Sequence, residues 1–127
     1  MKKFKELQKG DVVWSIRKSY IGEGIHKLTV LGSWENSSMN DWKIEVMGDE
    51  RVFFIFIPRS SFSKSFSSQL YQIYATTEEE LLRVSKKFIL KRVETIDKKI
   101  VNTKEMISYY EGLREKLDKL LIQIENE

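Results

Sequence analysis

Apolar and polar positions alternate along the first 75 residues and then give way to a seven-residue repeat. Gly10-Asp11 reads as a turn into a first strand over residues 12–16, where Val12, Trp14 and Ile16 alternate with Val13 and Ser15. Residues 20–24 carry Gly22 and Gly24 and read as a loop or bulge before a second strand over residues 25–34. In that run Ile25, Lys27, Thr29 and Leu31 face one way and His26, Leu28, Val30 and Trp34 the other, and its length predicts a bend. A third strand alternates Trp42, Ile44 and Val46 with Lys43 and Glu45, and Gly48-Asp49-Glu50 turns it into a fourth over residues 52–57. The fourth strand is apolar on both faces, which predicts cover from a barrel interior on one side and from the tail or a partner on the other. Pro58 ends it, and residues 70–74 read as a fifth strand.

The period changes at Thr77, which with Glu80 forms a capping box, while Glu78, Glu79 and Glu80 set negative charge against the positive end of a helix dipole. Leu82, Ile89, Ile96, Thr103, Tyr110, Leu117 and Ile124 then recur every seven residues, with Val93, Ile100, Ile107 and Leu121 between them. This is a coiled-coil seam, interrupted by Lys86, Thr103 and Arg114. A helix of about 50 residues spans ~75 Å and cannot cover its own stripe, so it requires a second helix. Pairing between chains supplies one, and so does a hairpin that turns near Val101-Asn102-Thr103. The expected fold is α+β: a small N-terminal antiparallel β-barrel, SH3-like, of about five strands over residues 1–75. A C-terminal coiled-coil helix or helical hairpin follows over residues 76–127.

Composition narrows the setting. The 127 residues include no cysteine, which removes disulfides and thiolate chemistry and suits a reducing compartment, so the cytoplasm is expected. No run approaches the roughly 18 apolar residues of a spanning helix, and Met1 to Lys5 leads into polar sequence rather than a signal core, so no membrane association is expected. The formal net charge is +3, but its distribution is uneven: residues 83–104 hold eight Lys/Arg against Glu94 and Asp97, and the last turns are acidic.

Few residues suggest chemistry. His26 is the single histidine and has no ligand-type spacing around it; no nucleophile elbow, phosphate loop or dinucleotide fingerprint is present. Neither a catalytic residue, a metal site nor a cofactor is expected. The basic stretch offers a nucleic-acid alternative through Lys91, Lys98 and Lys99, although its charges spread around the helix instead of gathering on one face. In the serine-rich residues 58–68, Phe62, Lys64 and Phe66 have the composition of a partner-contact loop, or of a loop whose rings fold back onto the barrel. Trp14, Trp34 and Trp42 fall on strand alternation and read as core or barrel-groove residues.

Lys9-Gly10-Asp11-Val12-Val13-Trp14, the glycine-containing loop and strand, and Tyr74-Ala75-Thr76-Thr77-Glu78-Glu79-Glu80 opening a helix together resemble small proteins common in bacteriophages and mobile elements. The resemblance covers mainly residues 7–83; it implies an SH3-like module followed by a helix and carries over no catalytic residues. The long tail is a departure from it. A viral origin implies a virion or assembly component, or an inhibitor that binds a host defence protein, in host cytoplasm or virion. The expectation is a non-catalytic interaction or assembly protein. Its barrel contacts a protein partner, and its tail makes a homo-oligomer through Ile89, Val93, Ile96, Ile100, Ile107, Leu117 and Leu121.

Overall fold

A computed structural model describes residues 1–19 and 24–126, and the loop expected over residues 20–24 lies, up to Glu23, outside the described residues. Gly10 takes φ +93, a conformation that glycine adopts without a Cβ penalty, and this turns the chain into β1 (Val12–Arg17). β2 (His26–Asn36), β3 (Asp41–Gly48) and β4 (Arg51–Pro58) follow as a meander. β5 (Phe66–Ser68) and β6 (Gln72–Ala75) complete one sheet in the order β4-β3-β2-β1-β6-β5. Every pairing in it is antiparallel, and β4 and β5 are its two edges, so the sheet curls into a half-barrel. The turn between β3 and β4 places Asp49 and Glu50 at φ 50 and 61, the left-handed pair that matches a two-residue hairpin to strand twist.

Among the described residues the expected five strands are six. Serine-rich residues read as loop contain a short 3-10 turn (Arg59–Ser61) and then β5. β6 begins two residues later than expected, which leaves Leu70 and Tyr71 exposed in the β5–β6 turn. Backbone pairing outweighs the weak strand propensity of serine here: β5 pairs with β6 from Phe66↔Ala75 to Ser68↔Ile73, and Thr76 N–H donates to Ser65 C=O at 2.9 Å.

Inside the curl lie Val13, Leu28, Val30, Ile44, Val46, Ile55, Ile57 and Tyr74, joined by Phe4 and Leu7 from the N-terminal segment. Burying each large apolar side chain contributes about 1.5–3 kcal/mol. In β1 the core face carries Val13 and Ser15, and not the Val12 and Trp14 of the expected alternation. Trp14 and Ile16 lie opposite Ala75 and Ile73, and so share the other face of the sheet. Ile16, Ile73 and Ala75 are buried on that face, which is why β1 is apolar on both sides.

A bulge changes the reading of β2. Val30 pairs with Val46, but Gly32 already pairs with Glu45, so Leu31 is an extra residue and the alternation reverses beyond it. Trp34, expected on the side of Leu28 and Val30, therefore stands on the outer face opposite Lys43.

α1 (Glu78–Glu125) is one helix that runs without a break through Val101-Asn102-Thr103, so the hairpin alternative is not adopted. Thr77 Oγ1 accepts the Glu80 N–H at 3.1 Å, the cap that the sequence indicates. Thr103 is accommodated by donating its hydroxyl to Lys99 C=O at 2.8 Å. The chain divides into two compact units, Met1–Lys87 and Phe88–Glu127, so the first helical turns belong with the strands; Leu81 and Ser85 are fully buried. No helix among the described residues is long and apolar enough to cross a membrane.

Candidate functional site

In the first unit, of the residues expected to contact a partner Phe62 and Phe66 are half-buried and Lys64 is exposed. Phe62 packs edge-on against Trp42 with ring centroids 5.4 Å apart, and its carbonyl accepts the Lys5 N–H. Phe66 lies in β5 under two cations, Lys64 at 6.0 Å and Arg83 at 5.7 Å from the ring centroid. Arg83 is itself held by Glu80 through bonds of 2.6 and 3.0 Å. These bonds hold the largely buried Glu80 carboxyl below its ordinary range, with a further hydrogen bond from Ser65, against the opposing effect of burial.

A carboxyl with a depressed folded pKa stabilises the fold above its unfolded pKa, and that contribution is lost as pH falls through the folded value. Chemical denaturation should therefore show stability declining below about pH 4.3. Glu80→Gln should lower stability at pH 7 and flatten part of the acid decline; equal pH slopes for the two proteins would remove Glu80 from the account.

The larger exposed aromatic surface is the outer face of β2–β4. Trp34 is opposite Lys43 and Lys43 opposite Phe56, while Glu45 separates Gly32 from Phe54 in the next row. Trp34, Phe54 and Phe56 keep 43, 43 and 45% of their surface exposed, and Met47 and Val52 extend the patch. Trp34 and Phe54 meet edge to face at 6.3 Å, and Lys43 Nζ lies 4.2 Å from the Phe54 centroid and 5.6 Å from that of Trp34. Such cation–π contacts are worth about 0.5–1 kcal/mol each at exposed sites. The two-sided apolar pattern of β4 pointed to this surface; Trp34 was hidden from pattern reading by the bulge.

The same strand offers backbone groups. Gly48 and Arg51 flank the two-residue turn and form its first hydrogen-bonded pair, so Phe53, Ile55 and Ile57 also direct their amides and carbonyls to β3. By alternation Val52, Phe54 and Phe56 direct theirs to the open edge. Gln69 Nε2 donates to the Phe56 carbonyl at 2.9 Å, which occupies one end of that edge.

Beside the Val52 end is a groove of about 600 Å³, whose lining includes Leu28, Phe53, Ile55 and Tyr74. Among the described residues its charged lining is Arg17, Lys27 and Arg51 with Asp49, and His26 lies alongside. Burial pushes the Tyr74 hydroxyl up to about 12 in spite of the nearby Arg17 charge, so this side chain adds no charge to the groove at physiological pH.

The second unit is helix alone. Val93, Ile96, Ile100, Ile107, Leu117 and Leu121 of the expected seam are exposed along it, and Ile89 is partly covered. Lys91, Lys98 and Lys99 are exposed as well, Lys98 lying 3.5 Å from Glu94 one turn earlier. Comparison with protein-family models, curated proteins and solved structures finds no match to this chain.

Proposed function

We propose that the chain is a non-catalytic interaction or assembly protein of phage or mobile-element origin. Its SH3-like barrel holds an extended, acidic segment of a protein partner along β4, and its tail self-associates as a coiled coil. The observation that carries the barrel half is the backbone edge of Val52 and Phe54, which no strand among the described residues pairs, flanked by exposed aromatics on one side and on the other by a groove whose described lining holds more cations than carboxylates. An added strand takes affinity from main-chain hydrogen bonds and specificity from alternate side chains. Soluble proteins normally blunt such an edge, so one left open beside aromatics suits recognition better than stability. An assembly role and inhibition of a host defence protein both fit this mode of contact, and the partner's identity separates them.

Peptides selected from a random library on the full chain test the proposal. Acidic sequences with alternating apolar residues should emerge, and they should slow amide exchange at Val52 and Phe54. Val52→Pro removes one edge donor without touching the β3 ladder, since proline is tolerated at sheet edges. It should weaken those peptides at least tenfold while leaving the folded spectrum intact. Peptides that bind Val52→Pro as well as the parent would place recognition elsewhere.

A further inference from the structure

We infer that the partner of the exposed α1 seam is a second copy of this chain running antiparallel, with the two helices crossing near Glu105. The inference rests on the proposed self-association and adds its orientation and register.

The helix is electrically two-sided along its length. Residues 83–104 carry eight Lys/Arg against two carboxylates, and residues 105–127 carry three against six. A parallel pair sets basic half beside basic half, whereas an antiparallel pair sets each basic half beside an acidic one.

Polar seam residues select the same arrangement. In a parallel, in-register pair Lys86 faces Lys86 and Arg114 faces Arg114, two like-charge layers inside an apolar seam. Antiparallel pairing about residue 105 instead places Ile89 against Leu121, Val93 against Leu117, Ile96 against Arg114, Ile100 against Tyr110 and Thr103 against Ile107. Lys86 then meets Ile124, so each polar residue meets an aliphatic one, and every seam position from Lys86 to Ile124 has a partner. A shift of one heptad toward the C-terminus brings Arg114 against Thr103, and a shift the other way leaves Ile124 without a layer and sets residues 99–104 of the two basic halves beside each other, Lys99 against Lys104. The rows flanking the seam are mixed, with Asp97 opposite Glu111, so the seam and the charge halves decide the orientation. The two helix starts then lie at opposite ends of the pair, which suits a protein that bridges two separate targets.

The chain has no cysteine, so one label site can be introduced cleanly. Ile122 is exposed and points away from the seam. Spin labels on Ile122→Cys should lie roughly 50 Å apart in the antiparallel pair, since each stands level with residue 88 of the other helix. A separation under about 25 Å, the reach of neighbouring helices in register, would overturn the orientation and leave self-association standing. Light scattering on the unlabelled protein separates the other failure: a monomeric mass removes both. Disulfide formation in an equimolar mixture of Ile89→Cys and Leu121→Cys chains, mapped by mass spectrometry of linked peptides, supplies a second reading. Linkage of 89 to 121 is expected, and predominance of 89–89 and 121–121 linkages argues for the parallel pair.

Discussion

Ile96→Asp combined with Ile100→Asp should turn an associated protein into a monomer at all working concentrations while its barrel stays folded. Both isoleucines are exposed in the isolated chain and lie next to each other on the seam, so a paired state buries them and a monomer does not. Loss of a buried aliphatic side chain typically costs 2–5 kcal/mol, and each aspartate adds the cost of placing a carboxylate in an apolar layer. Two substitutions per chain act twice in a dimer, so the summed penalty reaches the whole free energy of a micromolar complex, about 8 kcal/mol. The barrel is spared because both positions belong to the unit Phe88–Glu127. Light scattering coupled to size exclusion checks the mass, and near-ultraviolet circular dichroism of the tryptophans, all in strands, checks the barrel. An unchanged mass in an associated parent would sink the seam assignment.

Phe4→Ala should destabilise the barrel by about 3–5 kcal/mol, the range for removing a fully buried phenylalanine. Phe4 has no exposed surface and belongs to the core cluster. The segment around it also ties three parts of the unit together. Phe4 N–H donates to Lys64 C=O at 3.0 Å, Lys5 N–H to Phe62 C=O at 3.1 Å, and Thr76 Oγ1 to Lys2 C=O at 2.7 Å. The truncated side chain leaves a cavity that these backbone bonds prevent from collapsing, which places the cost toward the upper end of the range. Denaturant unfolding followed by tryptophan fluorescence measures it; a loss below 1 kcal/mol would mean that Phe4 is peripheral to the core.

These two predictions divide the molecule by how openly the sequence declares it. Ile96 and Ile100 were readable because a heptad repeat is a local property, set by helix pitch whatever the surroundings. The turn at Asp49-Glu50 and the cap at Thr77 were readable for the same reason: each depends on the dihedrals or hydrogen bonds of a few adjacent residues. Phe4 was not readable, because the basic residues Lys2, Lys3 and Lys5 around it give no period. Its burial follows from distant chain, where the carbonyls of Lys64 and Phe62 accept the amides of Phe4 itself and of Lys5.

The candidate site divides in the same way. The two-sided apolar pattern of β4 announced a second apolar face to be covered by the tail or a partner, but not which residues share that face, which is exposed in the single chain. Leu31, as a bulge, reverses the alternation of β2 and delivers Trp34 beside Lys43 and Phe54, and a single extra residue in one strand leaves no mark in the apolar pattern. For Phe62 and Phe66 composition left open a partner-contact loop or rings folded back onto the barrel, and Trp42 and Arg83 engage them from other elements.

The sequence by itself determined the class of the fold, the start of the helix, the heptad repeat along it and its uneven charge, since all of these arise from short-range geometry and from covalent order. Only the tertiary structure decided the sixth strand, the N-terminal plug, the open edge of β4 and the aromatic face beside it. Those features are set by pairing register and packing between residues far apart in the chain, where one inserted residue reverses a face and one buried ring fixes a terminus.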